Sequence, residues 1–392
     1  MINNNRILIV DALRGFALLG IVLIHSVEHF DFFYPPQINL LFSAEFDAKI
    51  MDLVFLLISG KAYSIFALMF GISFFIQMER NKQRGIDFSK RFLWRLTILF
   101  IFGFIHSLFY EGDILHIYAL LGFPLIIFNK FSNKTLLITA LLLFVQIPLF
   151  YHLVNSLIYQ NYVYTESLGS GLWEIGAKTY ATGNLIDVIK YNNWNGRIAV
   201  WGWTIYNGRI LQLIGLFLVG LILGRRKFFN NLETNKGFLI KSLIFGLIAA
   251  MLLGFISTSG VAENLTETSK NIFGKVLQSY TNLVYTGLII IAFCLINLKF
   301  KDATVFRLLS NFGRMSLSNY LFQSLIGVTL FYNFGFGLYR YLGSTWSLIY
   351  GIIFVSLQIA ISNFWFKHFH YGPFEWLWRA ITYFDFNLKF RK

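Results

Sequence analysis

Hydrophobic positions along the chain fall into ten long runs, separated by short polar segments. A helix that crosses a bilayer needs about 20 apolar residues. The runs lie at 7–27, 53–78, 93–110, 114–129, 134–153, 209–224, 238–257, 277–297, 313–332 and 346–366. The fourth and the sixth are short for a span. The pattern predicts an all-α, polytopic integral membrane protein with about ten transmembrane helices in one domain, 1–392.

The distribution of lysine and arginine predicts the orientation of these helices. If the N-terminus is cytoplasmic, the segments on its side of the membrane hold 23 of the 33 Lys and Arg residues, and the segments on the other side hold 8. Cytoplasmic loops of membrane proteins carry such an excess of positive charge. Both termini are therefore predicted to lie in the cytoplasm.

Composition excludes several other classes of protein. Hydrophobic residues make up 56% of the chain and include 45 Phe, a content that a soluble domain of this length would not carry. The net charge of +14 does not indicate nucleic-acid binding, because the basic residues form short clusters between apolar runs. The single cysteine, Cys294, lies inside an apolar run, which excludes a disulfide framework and a cysteine-based metal site.

Two segments outside the apolar runs are long enough to have a role of their own. The predicted extracytoplasmic segment 152–209 contains four tryptophans, which are interfacial anchors or else form a lid or a sugar-stacking surface over a site. They are Trp173, Trp194, Trp201 and Trp203. The tail 367–392 resembles an amphipathic helix on the cytoplasmic surface of the membrane.

The first apolar run contains three ionisable residues. A charge inside a span costs about 2.5 to 3.5 kcal/mol, so each of the three needs a reason. Asp11 and Arg14 are three residues apart and are expected to form an ion pair. His25 follows Arg14 by eleven residues, which places the two on one stripe of the helix, about 16 Å apart. His25 is either a satisfied interfacial histidine or a functional group.

A second cluster of polar residues surrounds the tight turn between the third and fourth runs. His106, Glu111, Asp113 and His116 lie there, on the same side of the membrane as His25 in the predicted topology. A buried histidine beside a carboxylate is the arrangement that orients an imidazole and raises its basicity. The spacing matches no metal-binding motif, so no metal is expected.

Three further runs contain polar residues that need partners within the bilayer. Lys61 lies near the middle of the second run, and it is expected to pair with a carboxylate or to bind an anionic ligand. Asn319 and Gln323 share one face of the ninth run, and Arg209 begins the sixth. For these residues, hydrogen bonding between helices and substrate binding are both open.

The most basic loop of the chain, 79–95, ends inside the third run. Arg91 and Arg95 lie one helical turn apart at the start of that run. Topology explains a basic loop, but it does not explain why Arg95 enters the span on the same face as Arg91. This pair would suit a phosphate-bearing ligand that arrives from the cytoplasm.

Five blocks of the sequence resemble the YeiB-like family of multipass bacterial membrane proteins. The blocks are DALRGFALLGI at 11–21, GKAYSIFALMFG at 60–71, GFIHSLFYEGDIL at 103–115, GRMSLSNYLFQSLI at 313–326 and YGPFEWLWR at 371–379. That family is similar to the transmembrane acyltransferase superfamily, which includes the acyltransferase-3 and heparan glucosaminide acetyltransferase groups. Arg14, ten residues and then His25 reproduce the acyltransferase-3 pattern, whereas many YeiB-like proteins have Asn at the histidine position.

The resemblance implies a bacterial cell membrane location and a ten-helix acyltransferase. Such an enzyme would move an acyl group, in the first instance acetyl, from cytoplasmic acyl-CoA to a hydroxyl or amine of an unidentified acceptor on the other side. His25 or His106 would be the base, with Glu111 or Asp113 holding the imidazole. Arg14, Arg91, Arg95 and Lys61 would bind the acyl-CoA.

Two other functions and the oligomeric state stay open at this stage. A transporter of a small anionic or peptide-like solute would also use buried cations, although the sequence shows no inverted repeat. A purely structural or regulatory membrane protein would explain the topology but not the buried charges. A homodimer is among the open oligomeric states.

Overall fold

Helices occupy every one of the ten predicted apolar runs. The computed structural model describes residues 7–32, 36, 41–159, 161–164 and 168–392. Part of the predicted extracytoplasmic segment 152–209 therefore lies outside the described residues. Within the described part of the chain, extended pairing is limited to one bridge between Phe369 and Arg391, so the fold class is all-α as predicted.

The helices follow one another with short connections. In chain order they are α1 (Leu8–Val27), α2 (Ala44–Leu57), α3 (Ala62–Lys82), α4 (Ser89–His106), α5 (Leu115–Gly122), α6 (Leu125–Phe128), α7 (Asn133–Phe144), α8 (Ile147–Ile158), α9 (Leu172–Thr182), α10 (Leu185–Tyr191), α11 (Arg197–Tyr206), α12 (Arg209–Arg225), α13 (Lys236–Thr258), α14 (Glu267–Lys299), α15 (Thr304–Arg314), α16 (Ser316–Phe331), α17 (Ser344–His368) and α18 (Pro373–Tyr383). A π-helical turn, Asn192–Gly196, joins α10 to α11.

Six of the described helical stretches are long and apolar enough to cross a membrane. They are Leu8–Val27, Ala44–Lys82, Asn133–Ile158, Lys236–Thr258, Glu267–Lys299 and Ser344–His368. A seventh candidate is the pair Leu185–Tyr206 and Arg209–Arg225, whose two helices are bent by 71°. The chain thus has the helices of a multipass membrane protein, while the count of ten spans and their orientation stay predictions.

Some of the predicted runs are broken helices rather than continuous ones. The run 53–78 is interrupted between α2 and α3, where Gly60 has a φ of +79° that favours glycine. The run 134–153 is interrupted at Gln146, which has a φ of +59°, and Pro148 follows in the first turn of α8. The run 313–332 begins in the last turn of α15 and continues as α16. Hydrophobicity alone does not indicate such breaks.

Glycines allow the central helices to pack with their backbones in close contact. A side chain at Gly15 of α1 would collide with the backbone of Leu309 in α15, and one at Gly313 would collide with α1. The same holds for Gly71 in α3 against α12. Small residues at helix crossings are typical of membrane bundles. These contacts place α1, α3, α12 and α15 around the centre of the molecule.

Candidate functional site

Asp113 lies between two histidines at the turn that joins α4 to α5. Its carboxylate accepts one hydrogen bond from Nδ1 of His106, at 2.7 Å, and another from Nδ1 of His116, at 2.8 Å. Asp113 is fully buried, and the two histidines are 3% exposed. Burial alone would raise the pKa of Asp113, but the hydrogen bonds from His106 and His116 outweigh it and hold the pKa at about 2. The carboxylate therefore stays ionised between the two rings.

The local sequence positions this cluster. His106 is the last residue of α4, and His116 lies in the first turn of α5. A side chain at Gly103 would lie within 2.8 Å of Asp113 Oδ2, so glycine is needed there for the two helices to approach. With Nδ1–H donated to Asp113, each imidazole carries its lone pair on Nε2. Among the described residues, neither Nε2 atom has a hydrogen-bond partner.

His25 and His106 belong to a cluster of four rings. The ring of His25 lies 5.2 Å from that of Tyr110 and 6.4 Å from that of Tyr320. The ring of His106 contacts the same two tyrosines, at 5.8 and 5.3 Å. Nδ1 of His25 is buried and has no hydrogen-bond partner within the described part of the chain. The two candidate bases are thus neighbours, separated only by two phenol rings.

A cavity of about 600 Å³ opens beside this cluster, and we name it the His25 cavity. Its polar lining includes His25, Asp113, Glu28, Asp31 and Arg209. Burial, together with the neighbouring carboxylate of Asp31, raises the pKa of Glu28 well above its usual range. Burial also raises the pKa of Asp31 to about 6, although Tyr110 donates a hydrogen bond to it. The cavity therefore combines an imidazole with weakly acidic carboxyl groups.

Two tryptophans of the long segment after α8 contribute to the wall of the His25 cavity. Trp173 and Trp203 line it, and Trp203 also stacks on the guanidinium of Arg209 at 3.9 Å. Trp194 is 70% exposed and does not line this cavity. Trp173 and Trp203 thus border a cavity, and both roles of these tryptophans, lid and interfacial anchor, stay predictions.

A second cavity, of about 280 Å³, lies toward the other end of α1, and we name it the Arg14 cavity. Arg14 forms the predicted ion pair with Asp11 at 2.7 Å and donates to Ser73 Oγ at 2.8 Å. The guanidinium of Arg95 lies 3.6 Å from the centre of the Trp378 ring. Arg314 also lines this cavity, so three guanidinium groups surround it.

The two cavities adjoin at a shared boundary, which we name the constriction. Ile21, Tyr63, Ile114 and Tyr320 line both of them. The Tyr63 hydroxyl donates to Gln212 Oε1 at 2.9 Å, and the backbone N–H of Ile114 donates to the Tyr320 hydroxyl at 3.2 Å. Two fixed tyrosines thus stand at the constriction, between the arginines that line one cavity and His25 in the other.

Two of the predicted site residues have other roles. Glu111 accepts hydrogen bonds from Tyr180 at 2.7 Å and Tyr191 at 3.2 Å, so of the two predicted carboxylates it is Asp113 that holds the histidines. Lys61 was expected to pair with a carboxylate or a ligand, but its Nζ donates to the backbone carbonyl of Leu56 at 2.7 Å. It neutralises the carbonyl end of α2, where the helix breaks.

The remaining predicted residues are divided between the bundle and its surface. Asn319 connects α16 to α17 by donating to Ser362 Oγ at 2.9 Å, which is the expected role of an interhelical amide. Gln323 is fully buried, and neither polar atom of its side chain has a partner among the described residues. Arg91 is exposed and lies over the ring of Tyr383, outside the Arg14 cavity.

Several residues of the two cavities were not among the sequence-based candidates. Glu28 and Asp31 follow α1 directly and looked like ordinary loop residues. In the sequence, Arg314 is only one of the 23 basic residues that predict the cytoplasmic side. Glu375 of α18 lines the Arg14 cavity and accepts hydrogen bonds from the backbone N–H of Leu317, at 2.7 Å, and of Ser318, so it caps the start of α16. The acidic residue within YGPFEWLWR could have suggested this cap.

Comparisons with known proteins agree with the resemblance in the sequence blocks. A family model described as "Protein of unknown function (DUF418)" matches residues 223–385. The chain is 29% identical over 399 residues to "Uncharacterized protein YxaH" of Bacillus subtilis (strain 168). The aligned region covers 97% of this chain and 95% of that protein. It is 28% identical over 407 residues to "Uncharacterized protein YeiB" of Escherichia coli (strain K12), with 95% of each chain covered. These similarities support the resemblance to the YeiB-like proteins.

Proposed function

We propose that the protein is a membrane-bound acyltransferase of the bacterial cell membrane. It moves an acyl group, in the first instance acetyl, from cytoplasmic acyl-CoA to a hydroxyl or amine of an acceptor on the opposite side. One observation carries the proposal: a cavity lined by arginines and a cavity lined by His25 share the residues of one constriction within one helical bundle. An acyl thioester that enters from one side could meet its acceptor at this constriction.

The proposal includes the orientation of the chain. The Arg14 cavity faces the cytoplasm in a bundle of ten spans whose two termini are both cytoplasmic. The bias of 23 basic residues against 8 supports this orientation, as does the helix found at each of the ten predicted runs. Placement in the transmembrane acyltransferase superfamily belongs to the same proposal.

The residues of the Arg14 cavity fit an acyl-CoA donor. Arg14, Arg95 and Arg314 offer guanidinium groups for phosphate, which arginine binds well in bidentate geometry. A volume of about 280 Å³ suits a thin chain such as pantetheine, so the nucleotide would lie at the cavity mouth. The apolar lining, which includes Phe66 and Phe70, would exclude water from the chain.

The histidine cluster would handle the proton of the acceptor. Nε2 of His25 or His106 would accept the proton as the acceptor oxygen or nitrogen bonds to the acyl carbon. The carbon–sulfur bond of the thioester then breaks, and the same proton passes to the leaving sulfur. Asp113 keeps the lone pair of His106 on Nε2 and stabilises the imidazolium that forms.

Fixed residues at the constriction favour transfer over transport of a whole solute. Tyr63 is held from two sides, because its hydroxyl donates to Gln212 and its carbonyl accepts from Tyr118 at 2.7 Å. Tyr320 is held by the N–H of Ile114. Alternating access would require these contacts to break in every cycle, whereas passage of an acyl group between the two cavities would not.

Incubation of native membranes that contain the protein with acetyl-CoA labelled in the acetyl group tests the proposal. We expect release of free CoA thiol and loss of label from CoA in native membranes, which supply the acceptor. Calorimetry should show that Arg14→Gln and Arg95→Gln weaken acetyl-CoA binding about tenfold or more, while Arg91→Gln has a smaller effect. Uptake of labelled solute into vesicles without CoA release would instead favour the transporter.

The two histidines provide the catalytic control. His25→Ala and His106→Ala should bind acetyl-CoA normally, and at least one of them should lose about a hundredfold to ten-thousandfold in turnover. Full turnover in both variants at saturating acetyl-CoA would refute acid–base catalysis by this cluster.

A further inference from the structure

Helix α11 separates the His25 cavity from a third, larger cavity. Val200, Trp203 and Thr204 face the His25 cavity. Ile198, Trp201 and Ile205 face the other side of the helix. We name this third cavity the α11 groove. Its volume is about 940 Å³, which is near the upper end for small-molecule pockets.

The walls of the α11 groove are mainly apolar and belong to candidate membrane-spanning helices. α8 contributes Leu149, α12 contributes Leu211, and α11 contributes Ile198, Trp201 and Ile205. These walls lie in the candidate span Asn133–Ile158 and in the bent pair Leu185–Tyr206 and Arg209–Arg225. The core of a bilayer contains no water that could fill an apolar groove. A hydrocarbon chain is therefore the natural occupant.

The groove and the His25 cavity come together at the bend between α11 and α12. Gly208 lines the groove, and its neighbours Asn207 and Arg209 line the His25 cavity. Gly208 has a φ of +65°, and a side chain there would collide with Gln146. The bend at residues 207–209 therefore forms the boundary between the two spaces.

A buried polar group lies at this bend. The side chain of Gln146 is fully buried, lines the groove, and donates from Nε2 to the carbonyl of Gly208 at 3.1 Å. Its other polar atom, Oε1, has no hydrogen-bond donor within the described part of the chain. A buried acceptor without a donor is costly, so a ligand O–H or N–H at this position would relieve the cost.

We propose that the α11 groove holds the hydrocarbon tail of a membrane lipid whose polar head enters the His25 cavity. The junction between head and tail would pass Gly208, where a hydroxyl or amine donates to Gln146 Oε1. Trp194, which is 70% exposed at the groove, would lie at the level of the lipid head groups. This inference rests on the proposed acyltransferase function, and it makes the acceptor a lipid or a lipid-linked molecule.

Native mass spectrometry can test the occupant without measuring activity. The protein is extracted from vesicles of phosphatidylethanolamine and phosphatidylglycerol, and detergent is removed until the loosely bound lipids are lost. We expect one lipid molecule to be retained by the wild type. Ile205→Trp, which fills the groove, should retain at least tenfold less, and Leu211→Trp serves as a second groove variant.

A matched control comes from another membrane helix. Ile248 of α13 is 55% exposed and Ile205 is 61% exposed, and Ile248 lines none of the three cavities. Ile248→Trp should retain the lipid as the wild type does. Absence of retained lipid in the wild type, or equal retention in the groove variants and the control, would overturn the inference.

A transfer assay separates this inference from the proposed function. Labelled acetyl-CoA is added to the same vesicles, and the products are divided between organic and aqueous phases. Label in the organic phase, lost in Ile205→Trp, supports the lipid acceptor. Label found only in aqueous products would overturn the lipid acceptor and keep the acyltransferase, whereas retained lipid without any transfer would count against the acyltransferase alone.

Discussion

Replacing Asp113 with Asn should destabilise the protein and reduce acyl transfer together. Asn keeps the shape of the side chain, but it has one acceptor oxygen where the carboxylate has two. His106 and His116 each donate to a different oxygen of Asp113, so one of these hydrogen bonds must be lost. The histidine that faces the Asn amide has to move its proton from Nδ1 to Nε2, which removes the lone pair a base requires.

Two independent routes give a similar magnitude for this change. A hydrogen bond to a charged group contributes about 1.5–3 kcal/mol, and one of the two is lost. The pKa of Asp113 falls from 3.8 to about 2, and a shift of that size corresponds to about 2 kcal/mol. We therefore expect Asp113→Asn to lower the free energy of unfolding by about 2–3 kcal/mol at neutral pH.

The pH dependence has a definite sign. The pKa of Asp113 is lower in the folded protein than in the unfolded chain, so its contribution is complete above pH 3.8 and is lost as the pH falls toward 2. The difference in stability between the wild type and Asp113→Asn should thus be constant from about pH 5 to 8 and shrink only in strong acid.

Glu111→Gln is the matched control, because it also replaces a buried acid by its amide. Burial raises the pKa of Glu111 to about 8, so the side chain is mainly protonated at neutral pH. Gln keeps a side-chain oxygen that can accept from the hydroxyls of Tyr180 and Tyr191, and it has no proton to lose in this pH range. The wild type should lose stability as the pH rises from 4.5 through about 8, and Glu111→Gln should abolish that loss.

The assay is thermal unfolding in detergent between pH 5 and 9, followed by acetyl-CoA turnover. Asp113→Asn should unfold at a lower temperature and turn over at least about a hundredfold more slowly. Glu111→Gln should be closest to the wild type in stability at pH 5 and increasingly more stable than the wild type as the pH rises to 9. Equal stability of the two variants at neutral pH would refute the assignment of Asp113 as the shared partner of both histidines.

Two further predictions concern the bundle. Gly15→Ala should destabilise the protein by about 1–3 kcal/mol, because its Cβ would collide with the backbone of Leu309, whereas Gly254→Ala meets nothing within 4 Å and should be neutral or stabilising. Thermal unfolding of the two variants checks this, and similar melting temperatures would contradict it. Lys61→Met should lower stability by about 1–3 kcal/mol by leaving the Leu56 carbonyl unpaired, without changing acetyl-CoA affinity. Loss of that affinity at unchanged stability would restore Lys61 as a ligand-binding residue.

Much of the architecture could be predicted because hydrophobic runs and charge follow physical rules that act locally. Each run of apolar residues forms helix, since the backbone must satisfy its own hydrogen bonds in a bilayer. The Asp11–Arg14 pair followed from spacing on one helix, and the His106–Asp113 contact from a short turn. These are interactions between residues that are close in sequence.

The rest depended on contacts between distant segments, which a single sequence does not reveal. Lys61 was assigned to a ligand because nothing in its run indicated that the helix breaks and exposes carbonyl groups beside it. The position of Glu111, two residues from Asp113, predicts a place beside the histidines, yet its partners Tyr180 and Tyr191 lie 69 and 80 residues away in the sequence. The sequence alone does not distinguish Arg314 from the basic residues that set the topology, because its place in the Arg14 cavity depends on the packing of α15 against α1.

The face of α1 that carries Arg14 and His25 borders both cavities. The spacing of eleven residues predicted a common stripe, but it did not indicate what lies between them. Ile21 lies on this face, seven residues after Arg14 and four before His25, and it lines the constriction shared by both cavities. One helix therefore borders the arginine end, the constriction and the histidine end. Since Gly15 holds this helix against the backbone of α15, the three levels keep a fixed spacing, as transfer of a group between two separately bound substrates requires.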